Sequence, residues 1–484
     1  MKNISRLAAL LMSALLLASC GEAAASPNAG GETEPAQGEN DQPAETTTED
    51  PNADSLPAAD LEGEEFRIWS KIDQLMYIYV DEMDGDVIND AVYTAISNVK
   101  ERFNVNITGT EYDCEINTSN NKIGNSILAG DDFCEILSCH DRTMAQFSLA
   151  GMLSNVNDLP YLDYSKPWWP ERSLQTLTIN GIMYLISNSI SYGNIRATNC
   201  TYFDKAKLDA YGIEYPYQTV RDGAWTLDLM TELCKDAYED LNGDGKRDNG
   251  DNYGFVGFQS AYRLIESFEI VPYRADPEKI LIIDVDNDRT RELINKYYKL
   301  CFESAGGLFL AEDGSYREMF NNGRTMFTFG TLADAVTTFR YSDVQYGFLP
   351  MPKLNDAQQN YCSGSNDVPF GVPITNSKRE MTGMLIEALS AEGYRVVQPA
   401  FFEVAMKQKF ASDEDSVEML DIIAENRVLD FGYLYCGNLP LCRFISFMFT
   451  PKKANTDFDS FYAKNIQKEQ ANVDAIIEAY MNPA

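Results

Sequence analysis

The chain has 484 residues, enough for two domain-sized bodies with separate cores. Its 39 Lys and Arg against 74 Asp and Glu give 39 − 74 = −35 at neutral pH. That excess of negative charge argues against nucleic acid or an anionic membrane surface as the main partner.

The first residues carry Lys2 and Arg6, then an apolar run from Leu7 to Leu17 that is too short to span a bilayer. The pattern is that of a targeting segment, residues 1–19. Its ending, Leu17-Ala18-Ser19-Cys20, resembles the lipobox of bacterial lipoproteins, which implies lipid attachment at Cys20 and a membrane-anchored, extracytoplasmic chain. Residues 21 to 60 hold ten acidic residues, five prolines, no basic residue and no aromatic. Such a segment cannot bury a core, so residues 20–61 are expected to be a disordered tether with a reach on the order of 35 Å.

From Glu65 onwards strands and helices alternate. Glu65 to Trp69 reads as a strand, Ile88 to Arg102 as a helix with Ala91, Val92, Ala95, Ile96 and Val99 on one face, and Val105 to Ile107 as a second strand. A helix near Lys122 to Leu128 stops at Gly130, and Phe133 to Leu137 is the third strand. This alternation predicts βαβ units and a largely parallel sheet, with ligands bound off the carboxyl ends of strands. Cys139-His140-Asp141-Arg142 follows the third strand and is either a ligand-contacting segment or a solvated loop. Pro167-Trp168-Trp169-Pro170 is either a packed corner or a stacking platform.

The stretch Gly181 to Met230 is read as a passage between lobes. Ile182 to Ile186 is an apolar strand, Ser187 to Thr198 a polar crossing, and Phe203 to Tyr211 a helix closed by Gly212. Thr226 then caps a helix from Leu227 to Tyr238. Gly181, Tyr184, Tyr202-Phe203-Asp204-Lys205, Gly212, Pro216 and Trp225-Thr226, in that order and spacing, resemble the hinge passage of extracellular solute-binding proteins of ABC importers, in the maltose-binding-protein-like group. Met319 to Gly330, Tyr346 to Pro352 and Phe402 to Ser416 resemble the same family, so the likeness runs over residues 62 to 484.

The resemblance implies a two-lobed α/β fold of the periplasmic-binding-protein type II class. Lobe 1 would comprise residues 62–190, lobe 2 residues 191–350, a return to lobe 1 residues 351–410, and a C-terminal helical segment residues 411–484. It implies a monomeric, non-enzymatic receptor that hands a small solute, with sugar the first choice, to a membrane permease. The expected ligand contacts are Asp141, Arg142, Trp69, Trp168, Trp169, Tyr192, Thr331 and Tyr433. Carboxylate and guanidinium groups suit hydroxyls, and ring faces suit the apolar faces of a sugar.

Asp240-Leu-Asn242-Gly-Asp244-Gly245-Lys246-Arg-Asp248-Asn-Gly-Asp251 has the oxygen spacing of an EF-hand-type loop, with Asp at its twelfth position. It is either a structural calcium site on Asp240, Asn242, Asp244, Lys246, Asp248 and Asp251 or a plain acidic turn. No cofactor is expected for function. Nine cysteines remain after Cys20 and show no CxxC spacing; most are expected to be buried free thiols, with Cys134/Cys139 and Cys436/Cys442 near in sequence. Strands after the second passage (Val372 to Ile374) and helices over 378–391, 397–407, 416–424 and 472–481 complete the reading. A secreted glycoside hydrolase, which needs two carboxylates across a cleft, and a surface protein that binds polymer without transport are the alternatives.

Overall fold

The computed structural model describes residues 52–113, 119–311, 314–365, 369–407, 414–437 and 439–482. Cys20 and most of the expected tether lie outside these. The tether's last residues are packed where disorder was expected. Asp54 is almost fully enclosed and accepts two hydrogen bonds of 2.7 Å from the Arg102 guanidinium, while Leu56 and Ala59 rest on the core. A bidentate ion pair and two apolar contacts order a segment whose composition alone cannot.

The first sheet grows from β1 (Glu65–Lys71), β2 (Asn106–Tyr112) and β3 (Ile136–Ser138), all parallel, with β1 in the middle. α1 (Val87–Phe103) connects the first two and buries Ile88, Ala91, Val92, Ala95, Ile96, Val99 and Phe103. Asp86 caps it by accepting from the amides of Ile88 and Asn89. α2 (Ser119–Leu128) and α3 (Asp141–Leu149) flank β3, and α4 (Glu171–Leu177) and α5 (Gly193–Arg196) follow.

Two expectations change in the passage that comes next. Ile182 to Ile186 is buried and extended but forms only single bridges, to Ile179 and to Phe370. Asn180 and Gly181, at φ 53° and 75°, make the tight turn that folds it back, so its neighbours are a turn and an edge rather than a ladder. The helix expected from Phe203 starts later. β4 (Asn199–Asp204) occupies those residues because both its edges are paired, and Asp204 then caps α6 (Lys205–Ala210). Gly212, at φ 66°, follows the end of that helix, as expected.

The second sheet has the order β10-β4-β9-β5-β8. After α6 come α7 (Tyr217–Arg221) and α8 (Leu227–Cys234), which Thr226 caps. β5 (Tyr253–Phe258) leads into a 3₁₀ segment, Gln259–Phe268, and then a hairpin of β6 (Tyr273–Asp276) and β7 (Ile280–Ile283). α9 (Asp288–Tyr298), β8 (Gly307–Leu310), α10 (Ser315–Asn321), β9 (Thr325–Thr331), α11 (Leu332–Val336) and β10 (Tyr346–Leu349) complete this body. β5 is parallel to β8 and β9, whereas β4 is antiparallel to its two neighbours.

The chain then returns to the first sheet. β11 (Ser363–Gly364) is followed by β12 (Phe370–Gly371), which adds antiparallel to β3 two residues before the strand expected at Val372. Val372 onwards makes only the Leu153–Pro373 bridge. α12 (Arg379–Glu392) and α13 (Gln398–Lys407) cover α1, and α14 (Glu414–Glu425) lies against β10. β13 (Arg427–Val428), α15 (Phe431–Leu434), α16 (Phe444–Met448) and α17 (Phe458–Met481) close the chain; α17 begins well before the expected Asn472. Apolar side chains gather into two buried clusters, one around each sheet. Among the described residues no helix is long and apolar enough to cross a membrane.

Cysteines divide unevenly. Cys134, Cys200, Cys234, Cys301, Cys362, Cys436 and Cys442 are free and buried, whereas Cys139 is in a disulfide. Most are thus buried free thiols, as expected, and neither Cys134 with Cys139 nor Cys436 with Cys442 forms a disulfide.

Candidate functional site

A cavity of about 230 Å³ opens at the carboxyl ends of β5 and β9, beside the start of β4. Parallel strands place their ligands there, because the loops that leave those ends converge. Phe258 ends β5, Ser260 and Arg263 follow on the 3₁₀ segment, Tyr316 and Arg317 come from α10, and Thr331 ends β9. Arg196 of α5 and Asn199 of β4 complete the polar lining.

The wall is built from mutual supports. Phe258 and Tyr316 are stacked, with centroids 4.2 Å apart and planes 9° from parallel. Asp334 accepts from the Thr331 amide at 2.9 Å and from Arg317 Nε at 2.8 Å, so one buried carboxylate positions two lining residues. Gly330 leaves room for it, since a Cβ there would come within 2.7 Å of Asp334 Oδ2. Arg317 also lies over the Tyr316 ring, and Arg196 over the Tyr77 ring, at 4.7 and 4.8 Å. Tyr77 follows β1, so that stacking brings the first lobe's side to the cavity's rim. Tyr192 packs edge-on to Tyr77 at 5.1 Å.

Behind Asn199 lies a second polar cluster. Burial, then the neighbouring Asp430 charge, pushes the Glu266 carboxyl up, and burial does the same to Asp430. Glu266 Oε2 and Asp430 Oδ1 are enclosed without hydrogen-bond partners. A hydrogen bond with Cys442 pulls the Cys436 thiol down, and the nearby Arg142 charge assists. A hollow of about 400 Å³ beside Cys436, bordered by Arg443 and Lys468, is wider than the first cavity. It lies at helix surfaces, away from the strand ends.

Of the residues singled out from sequence, Thr331 lines the cavity and Tyr192 supports its rim through Tyr77. Asp141 and Arg142 open α3 elsewhere. Asp141 is buried with His140 Nδ1 2.5 Å away and accepts from the Arg142 amide at 2.7 Å. Burial alone would raise its pKa, but those hydrogen bonds hold it below the usual carboxylate range. The Arg142 stem lies along Gly437, next to Cys436. Trp69 is half-buried between Phe133 and Tyr112, and Tyr433 is buried in α15, its amide donating to Asp430.

Trp168 and Trp169 form the packed corner of the two readings. Both are buried, and their indole N–H groups donate to the two oxygens of Glu387, each at 2.9 Å. The loop from Asp240 to Asp251 turns at Gly245, at φ 71°, as the spacing predicts. Asp240 is taken up by the amides of Gly243 and Gly245, Asn242 by that of Asp244, and Asp244 by that of Lys246. Asp248 accepts from Gly250, while Asp251 is buried and accepts from Leu241. Among the described residues no group of three or more His, Cys, Asp or Glu side chains converges to hold a metal ion.

Sequence reasoning passed over Arg196, Phe258, Arg263, Tyr316 and Arg317. The Tyr-Gly-Phe-Val-Gly-Phe run of β5, with β-prone residues and two glycines, was the available signal for a strand ending at Phe258.

No protein-family model matches the chain, and no curated protein is similar to it in sequence. Solved structures are similar in fold. The galacto-N-biose/lacto-N-biose I-binding protein of an ABC transporter from Bifidobacterium longum, in complex with lacto-N-biose, is 11% identical with a TM-score of 0.56, covering 87% of this chain and 98% of its own. UspC of Mycobacterium tuberculosis is 13% identical with a TM-score of 0.53, covering 85% and 100%. A cyclo/maltodextrin-binding protein complexed with maltotetraose is 14% identical with a TM-score of 0.51, covering 86% and 96%. The fold is thus the two-lobed α/β arrangement of the type II periplasmic-binding-protein class.

Proposed function

We propose that this protein is the receptor of an ABC importer, a non-enzymatic binding protein that encloses a carbohydrate between its lobes and presents it to a membrane permease. The observation that carries this reading is the cavity at the carboxyl ends of β5 and β9, in a fold shared over almost the full length of saccharide-binding structures. Its stacked Phe258–Tyr316 wall offers apolar ring faces. Asn199, Ser260, Thr331 and the arginines offer hydrogen bonds to hydroxyls. Hinge closure around the crossings from Ser187 to Thr198 and from Tyr346 to Pro352 would shut the site, and the permease would favour the closed state. A glycosidase requires two carboxylates across its cleft, whereas the described lining here is cationic, amide, hydroxyl and aromatic.

A thermal-shift screen of a saccharide panel, with amino acids and peptides as controls, tests the reading. A saccharide at one hundred times its Kd should stabilise the protein by about 2.7 kcal/mol and be recovered unaltered. Stabilisation by amino acids alone, or conversion of the saccharide, would overturn it. Anchoring through Cys20 is part of the same proposal. Cys20→Ala should move the protein from the membrane fraction to the soluble secreted fraction, and retention on the membrane would remove the lipid from the account.

A further inference from the structure

Cys436 and Cys442 are joined by a segment wound into turns: the Leu439 amide donates to the Tyr435 carbonyl at 3.0 Å, and the Cys442 amide to the Leu439 carbonyl at 3.4 Å. Both ends of the segment are anchored. The Tyr435 hydroxyl is hydrogen-bonded to those of Ser148 and Tyr480, at 2.6 and 2.9 Å, and the Leu441 amide donates to Glu469 of α17 at 3.2 Å. So held, the two thiols share a hydrogen bond, and Cys442 Sγ also sits 3.0 Å from the Leu439 carbonyl oxygen. Cys436 lines the hollow of about 400 Å³ at the helix surfaces, whose rim residues Phe447, Lys468 and Ala475 are exposed. The pair thus has one member facing a space that admits a small molecule and one enclosed behind it.

We propose that Cys436 and Cys442 form an oxidisable dithiol, in which Cys436 meets a hydroperoxide in the hollow and Cys442 closes the disulfide. In the first step the Cys436 sulfur attacks the O–O bond and becomes a sulfenic acid; the other oxygen leaves with the thiol's proton, as water or an alcohol. In the second, the Cys442 sulfur displaces the sulfenic hydroxyl: the S–S bond forms, the S–O bond breaks, and the Cys442 proton departs in the second water. Two electrons pass from the sulfurs to the peroxide. Thiolate character favours Cys436 for the first step, since the Cys442 hydrogen bond lowers its pKa against burial and the Arg142 charge assists. Burial pushes the thiols of Cys134, Cys200, Cys234, Cys301 and Cys362 the other way. This site is separate from the cavity at the strand ends and does not depend on the carbohydrate reading.

Hydrogen peroxide added to the native full chain tests it, followed by quenching, denaturation, alkylation of the remaining thiols and peptide mass mapping. One tryptic peptide, Val428–Arg443, holds both cysteines. It should lose the mass of two hydrogens and escape alkylation, about tenfold or more faster than any of the other five free thiols is oxidised. A reducing agent should restore it. Cys442→Ala should leave a sulfenic acid at Cys436 that a dimedone probe traps, and Cys436→Ala should leave Cys442 a thiol. The parent chain decides the matter even if a variant fails to fold. Oxidation of Cys436 no faster than of the other five would overturn the proposal. So would a Cys436 that passes to sulfinic acid with Cys442 still alkylatable, because the second sulfur would then play no part.

Discussion

Glu387 is held at both carboxylate oxygens by the indoles of Trp168 and Trp169, and it is almost wholly enclosed. Burial raises its pKa to about 7, against the indole hydrogen bonds, which favour the charged form. Burial likewise raises Glu469, hydrogen-bonded to Tyr273, to about 6. Between an unfolded value near 4.5 and these folded values the native state binds more protons than the unfolded chain. Stability from these groups is therefore greatest below about pH 4.5 and falls as pH rises through 6 to 7. For Glu387 the span is at most about 3 kcal/mol, from about 1.4 kcal/mol per pKa unit. Melting curves from pH 5 to pH 8 should show this decline, and Glu387→Gln should flatten it. An unchanged slope in the variant would place the proton elsewhere. None of this was legible from Pro167-Trp168-Trp169-Pro170 alone, because the partner carboxylate sits more than two hundred residues away. Asp141 teaches the same lesson: its type and place after a strand were readable, its commitment to His140 was not.

At the scale of elements, periodicity served well where a helix buries one face. α1 was legible to within one residue at each end from its apolar stripe, and Thr226 and Gly212 punctuated the chain as their types require. It failed where pairing decides. Asn199 to Phe203 carries no alternation, since both faces of a central strand are buried, and only β9 and β10 reveal it as a strand. The EF-hand-type spacing likewise announced a turn but not whether its oxygens converge. Close backbone packing is similarly silent in sequence. Gly393, between α12 and α13, sits where a Cβ would come within 1.8 Å of the Ser189 carbonyl oxygen. Gly393→Ala must therefore push that helical junction off the polar crossing. It should lower the denaturation midpoint by the equivalent of about 1–3 kcal/mol, the usual range for overpacking, despite alanine's better helix propensity. A variant as stable as the parent would show that the junction yields freely.

For the molecule as a whole, a charge of −35 places the folded body under self-repulsion that surface ion pairs only partly offset. Raising the salt from about 0.05 to 0.5 M shortens the screening length several-fold. The melting temperature should rise, and a fall would mean that specific pairs such as Asp54–Arg102 outweigh the general repulsion. The two-lobed plan was legible because the order of strand, crossing, capped helix and return survives great sequence change. Apart from Thr331 the cavity's lining was not, because it draws one to three residues each from seven separate elements.

The enclosed thiols give the protein a built-in clock. Six are spread through a packed core, in both lobes, and are almost wholly enclosed, while Cys436 borders the surface hollow and stands outside this count. An alkylating reagent added to the native protein can react only as fast as the fold opens, and the mass gained counts how many sites opened together. Cys134 near the first sheet and Cys234 and Cys301 against the second would then time each lobe's opening separately, without any added label. A ligand that locks the lobes shut would slow that clock.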